Sequence, residues 1–142
     1  MDWAFLYTSF EGRISRQTFW IAVAILVVIE LTVNLVTEQL QLDRLSAIID
    51  LALVYPEFAV ALKRAHDRNM PILFLIAFFV GNAILDFLTV LQMAIVDGQP
   101  TAPAILISVP FTILFFFLLV ELGFRKGVDG PNQYGPDPLE TV

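Results

Sequence analysis

Cysteine is absent from the chain and histidine occurs once, at His66. These two shortages exclude disulfides, thiolate chemistry and every zinc pattern built on Cys and His, so no metal site and no cofactor is expected. Basic residues are also scarce, eight Lys and Arg against fourteen Asp and Glu, for a formal net charge of -6. A phosphate backbone is held by clustered cations, so nucleic acid is excluded as a partner. Charge of either sign is thin: 15% of residues are charged, where a soluble domain carries about 25%. No cleavable secretory leader is expected either. Met1-Asp2-Trp3 offers no basic start, and the first apolar stretch runs on to Thr37-Glu38-Gln39 without a small-residue cleavage site. It is expected to stay as a membrane anchor.

What the chain has in abundance is apolar length. Of its 142 residues 58% are hydrophobic, more than a soluble fold of this size can hide. A bilayer core of about 30 Å needs around 20 apolar residues in helix, and residues 18–37, 71–96 and 103–124 each supply them. A fourth stretch, 46–62, contains Asp50, Pro56 and Glu57. Its eight Ile, Leu, Val and Phe residues favour insertion by about 2 to 5 kcal/mol, against up to roughly 3 for a central acid.

Loop charge decides in favour of that fourth span. Lys and Arg near span ends concentrate on the cytoplasmic side. Four spans with the N-terminus inside put Arg13, Arg16, Lys63, Arg64, Arg68, Arg125 and Lys126 in the cytoplasm and only Arg44 outside. Three spans would export Lys63, Arg64 and Arg68. The outer loops then fall at 38–45 and 97–102, where Asp97-Gly98-Gln99-Pro100 reads as a turn.

Before the first span, Trp3, Tyr7, Phe10 and Ile14 recur at helical spacing. Residues 2–11 are expected to form an amphipathic helix in the inner headgroup layer, ended by Gly12, within a cytoplasmic segment 1–16. Ser15 suits the N-cap of the first span. After the last span, Gly127 to Pro138 holds three Gly and three Pro, so 125–142 is expected to be an irregular cytoplasmic tail. The expected fold is therefore all-α: a polytopic four-transmembrane-helix bundle forming one membrane domain over 1–142, with both termini cytoplasmic.

Three cytoplasmic motifs occur in order: Phe10-Glu11-Gly12-Arg13-Ile14-Ser15-Arg16 through Phe19-Trp20, Lys63-Arg64-Ala65-His66-Asp67-Arg68, and Gly130-Pro131-Asn132-Gln133-Tyr134-Gly135-Pro136-Asp137-Pro138. Together they resemble the bacterial inner-membrane family called domain of unknown function 805, over nearly the whole chain. In that family the middle motif usually has two arginines and then a glycine-containing turn; here Lys63 and Asn69-Met70-Pro71 stand in their places. The resemblance implies four helices in a bacterial plasma membrane and no reaction, so it transfers no catalytic residue.

Two constellations remain to be judged on their chemistry. The first is a candidate intramembrane polar network of Glu30, Asn34, Asp50, Glu57, Asn82 and Asp86. At 1.5 Å per residue, Glu30 lies about 18 Å and Asp86 about 22 Å from the inner ends of their spans. Glu30 with Asn34, and Asn82 with Asp86, are four residues apart and share a face. Such acids must point into the bundle. One reading is a proton or cation path; the other is helix bridging by acids and amides, with Thr37 and Thr89 contributing.

The second constellation is cytoplasmic: Arg13, Arg16, Arg64, His66, Asp67 and Arg68 with Asn132, Tyr134 and Asp137. It reads either as a site for an anionic headgroup, phosphate or partner protein, or as topogenic charge whose ion pairs fasten the tail. Asp67 is expected to pair with Arg13 or Arg16, and Glu121 with Arg125. His66 beside Asp67 lacks a nucleophile in a triad context, so no catalytic residue is assigned. Three function classes follow in order: an accessory or scaffold membrane protein, a small proton, cation or solute conductor, and a membrane-surface enzyme. The partners expected are membrane lipid and a partner membrane protein or a second copy.

Overall fold

The computed structural model describes residues 2–96 and 98–140. Its helices are α1 (Trp3–Thr8), α2 (Arg16–Gln39), α3 (Asp43–Asp67), α4 (Leu73–Val90) and α5 (Ala102–Leu118), the last continuing as a π-helical turn, Leu119–Phe124. A two-residue hairpin, β1 (Ile95–Val96) with β2 (Gln99–Pro100), links α4 to α5. Four helices are long and apolar enough to cross a membrane, counting α5 with its π-helical turn. Within the most apolar stretch of each, only 11% to 28% of residues are buried in the protein. Residues such as Val28, Leu35, Leu106 and Ile113 stand fully outward. In water this surface would be an aggregation hazard; in hydrocarbon it is the ordinary exterior of a span. The chain is a multi-pass membrane protein.

The helix ends follow local chemistry. Ser15 Oγ accepts from the Thr18 N–H at 3.2 Å and starts α2, as its hydroxyl suggested. Asp2 caps α1 by accepting from Phe5 N at 3.0 Å. That first helix stops at Thr8, shorter than the expected 2–11, because Ser9 is already extended. Gly12, at φ +84°, turns the chain afterwards, with Phe5 packed against it. The third span ends at Val90 rather than Val96. There the Met93 N–H reaches back to Leu88 O at 2.7 Å while Gln92 takes φ +57°, a helix-ending turn. Asp97, expected in the outer turn, lies outside the described residues; Gly98 beside it has φ +73°.

The disputed second span is the longest helix, running unbroken through Pro56 although proline cannot donate to the carbonyl of Ala52. Neighbours on both sides hold it: α3 packs on α2, α4 and α1. The buried core, including Ala22, Leu26, Val60, Leu75, Phe79 and Leu118, gathers towards the end of the bundle that carries the basic residues. By contrast, α2 meets the last span at its π-helical turn and scarcely along α5. The bundle is closed at its base and open at its side.

Candidate functional site

At the base, a run of backbone carbonyls is bound one after another by side chains of α2, of α3 and of Arg68 just after it. Leu122 O accepts from Arg64 Nε at 2.8 Å, Gly123 O from Trp20 Nε1 at 2.9 Å, and Phe124 O from Arg16 Nη1 at 3.1 Å. Arg125 O accepts from Arg64 Nη2 at 2.6 Å, and Lys126 O from Arg68 Nη1. The last carbonyls of a helix have no partner of their own and carry partial negative charge. Here they receive cationic and indole donors.

Arg13 extends the pattern into the tail. Its Nη2 donates to Val128 O at 2.7 Å and its Nη1 to Gly130 O at 2.7 Å and Gly135 O at 3.3 Å. Arg13 Nε and Nη2 also hold Asp67 Oδ1 at 3.1 and 3.0 Å, while Arg64 Nη1 holds Asp67 Oδ2. All three side chains are buried. A buried ion cluster is tolerable when its remaining donors are bonded, and the tail carbonyls meet that condition. Asp67 also accepts the Val128 N–H on its backbone oxygen at 2.9 Å. Gly127 passes so close that any Cβ there would strike the Asp67 carboxylate.

The tail residues have matching tasks. Asn132 Oδ1 accepts from Tyr134 N at 2.9 Å, and Asn132 Nδ2 donates to His66 O at 3.0 Å. The Tyr134 ring stacks on the His66 ring, 3.8 Å between centroids and 6° from parallel. His66 Nδ1 lies 3.0 Å from Gly12 O, to which it donates. Asp137 accepts from Gly130 N and Leu139 N, each at 2.9 Å. Those two N–H groups hold its carboxyl below the ordinary carboxylate range. His66 and Asp67, adjacent in sequence, thus serve different partners, and Ser15 Oγ is occupied as a helix cap. Glu121, inside the π-helical turn, joins Arg125 and, at 3.1 Å, Arg68.

The intramembrane residues are drawn into two chambers. Glu30 and Glu57 give a polar end to a cleft of about 320 Å³ that both line. Trp20, Val23 and Val27 of α2 and Phe111 and Phe115 of α5 line its walls, with Asn82 also at the polar end. Trp20, Val27 and Phe115 are all more than a third exposed, which places the cleft mouth on the bilayer between α2 and α5. A second cavity of about 350 Å³, at the other end of the bundle from the carbonyl ties, is lined by Asn34, Thr37, Ser46, Asp50, Asp86 and Thr89.

Helix bridging is narrower than the sequence suggested. Ser46 Oγ joins Asn34 Oδ1 of α2 and stands 3.3 Å from Asp50 Oδ2. Asn82 Nδ2 binds Asp86 Oδ2 at 2.8 Å within α4. Thr37 and Thr89, expected to help bridge helices, instead bond back to Val33 O and Leu85 O of their own helices, a habit of mid-helix hydroxyls. Asp50 Oδ1 is buried with no hydrogen-bond partner. Among the described residues no group of three His, Cys, Asp or Glu is arranged to hold a metal ion.

Sequence reasoning missed Trp20, Lys63 and the two glycines as structural parts. Trp20 read as an interfacial aromatic. Lys63 read as topogenic charge, yet its Nζ is buried, donates to Ser9 O and lies 5.4 Å from the Phe5 ring centroid. Gly123 would meet Trp20 Cζ2 at 2.6 Å if it carried a Cβ. The only sequence signal for Trp20 and Lys63 was their place inside the motifs; Gly123 and Gly127 lie outside them.

Comparison with known proteins agrees with the motif pattern. The family described as "Protein of unknown function (DUF805)" matches residues 7–136. The chain is 32% identical over 148 aligned positions to "Uncharacterized protein YiiR" of Escherichia coli strain K12, covering 99% of this chain and 90% of that protein. The same figures hold for YiiR of Escherichia coli O157:H7. No solved structure matches.

Proposed function

This chain belongs to the DUF805 family of proteins of unknown function, and from that premise we propose that it is an accessory or scaffold protein of a bacterial inner membrane, with both termini in the cytoplasm. The observation that carries the reading is the side opening between α2 and α5, which leaves Glu30 and Glu57 facing a cleft on the bilayer. A protein that worked alone would gain by closing it, since an acid exposed to lipid costs several kcal/mol. The base supports the same reading: Arg13, Arg16, Arg64 and Arg68 are tied to backbone carbonyls, and Arg13 and Arg64 to Asp67 as well, which makes a rigid platform. The basic residues gather there while Arg44, paired with Gln92, stands at the opposite end. That distribution supports the base being cytoplasmic.

The test is site-specific photocrosslinking in native membranes. A photoreactive residue at Val27, inside the cleft, should give a protein adduct of one defined mass, and one at Val28, on the lipid side, should not. Adducts with lipid alone at both positions would overturn the assembly role.

A second reading rests on the polar cavity lined by Asn34, Asp50 and Asp86, where Asp50 Oδ1 is unpartnered. It makes the chain a proton or cation conductor fed from the outer side. Glu30→Gln with Asp86→Asn should then abolish ion flux into liposomes, and unchanged flux removes this reading.

A further inference from the structure

We propose that the cleft between α2 and α5 receives a transmembrane helix of another protein, one that carries a Lys or Arg side chain at mid-membrane to the Glu30–Glu57 pair. The proposal rests on the assembly reading and names the chemistry of the partner. Three occupants compete for this groove, and the polar end of the cleft separates them.

A phospholipid chain fills the apolar walls well but offers no polar atom at the depth of the carboxyls. Glu30 stands about 18 Å from the inner end of its span, near the middle of the hydrocarbon. A second copy of this chain fares no better. Its described span interiors contain no cation at that depth: Arg44 lies at the outer end on Gln92, and Lys63 is bound to Ser9 O at the inner end. A foreign helix with a basic residue in mid-span satisfies both carboxyls and covers Val23, Val27, Phe111 and Phe115 at once. Intramembrane acids characteristically find such partners. The cleft suits it geometrically, being closed below by the Trp20–Gly123 hydrogen bond and open to the side, so that a helix can pack from the bilayer without threading the bundle. The diagnostic feature is depth. Basic residues at the ends of spans are common, whereas one at the centre is expensive unless it meets an acid.

The experiment begins from the Val27 photocrosslink in the full-length chain in its own membrane, with the adducted peptide sequenced by mass spectrometry. The expected peptide is a transmembrane segment with Lys or Arg near its middle. Glu30→Gln combined with Glu57→Gln should lower adduct yield about tenfold or more. Replacing the partner's basic residue by Met should do the same while leaving this chain untouched, which guards against misfolding of the double variant. A protein adduct whose span lacks a central cation, or one whose yield survives both changes, overturns the proposal while sparing the assembly role. An adduct with a second copy likewise overturns it. Adducts with lipid alone overturn both.

Discussion

Arg13 and Asp67 stand 54 residues apart in sequence and share a buried two-point hydrogen bond. The pair joins the first motif to the second, and the remaining Arg13 donors reach the tail. One guanidinium therefore clips three separated parts of the chain together.

Asp67→Asn leaves the Arg13 and Arg64 charges buried beside a neutral amide. Removing one partner of a buried cluster costs about 3 to 5 kcal/mol. Thermal unfolding in detergent should show that loss, and trypsin should cut after Arg125 faster than in the parent. Asp129→Asn is the contrast, since the Lys126–Asp129 pair is exposed on both sides; it should leave the unfolding temperature and the cutting rate close to those of the parent.

Gly127→Ala should mimic Asp67→Asn, because the added methyl must displace the Asp67 carboxylate. The two changes strike the same contact, so their combined effect should fall well short of their sum in a double-mutant cycle. Full additivity would mean that the methyl is accommodated elsewhere.

Trp20→Phe keeps the ring packing against Phe124 and removes only the N–H to Gly123 O. The expected loss is about 1 kcal/mol for one neutral hydrogen bond, read as a lowered Tm. Gly123→Ala should be worse, since the methyl meets the indole itself.

Asp137 supplies a pH dependence whose sign follows from its depressed carboxyl. Its contribution to tail ordering is complete above the ordinary Asp value of about 3.9 and fades as pH falls from there through the lower folded value. Protection of the Gly130 amide should therefore weaken as pH drops below about 4, and Asp137→Asn should remove that step.

Because the chain has no cysteine, single-cysteine labelling reports orientation without background. With an impermeant maleimide on intact spheroplasts, Gln92→Cys should label and Gln133→Cys should label only after permeabilisation. The reverse pattern would invert the proposed topology.

The four membrane helices were legible because apolar length and charge placement act through bulk solvent, which needs no knowledge of neighbours. Ser46 to Leu62 was legible through charge placement alone, and in the structure α1, α2 and α4 pack on the helix that carries it through Pro56. The pairing of Asp67 with Arg13 was readable as opposite charge in two nearby motifs. The carbonyl ties of Arg16, Arg64 and Arg68 were not, because a backbone oxygen leaves no mark in the sequence. The role of Gly127 was hidden for the same reason: it records only the absence of a side chain where Asp67 must lie. Glu30 and Glu57 were legible as interior acids, but their lining one cleft depended on the relative rotation of α2 and α3.

The ties at the base also set an order of events in biosynthesis. Arg13 is separated from Gly130 by 117 residues, so its clip cannot close until the last span has been inserted and the tail has emerged. Until then Arg13 and Arg64 lack the carbonyls that accept from them in the finished chain. A chain stalled before Phe124 would leave those guanidiniums to water and lipid headgroups at the membrane surface, so the base is the last part of the molecule to set.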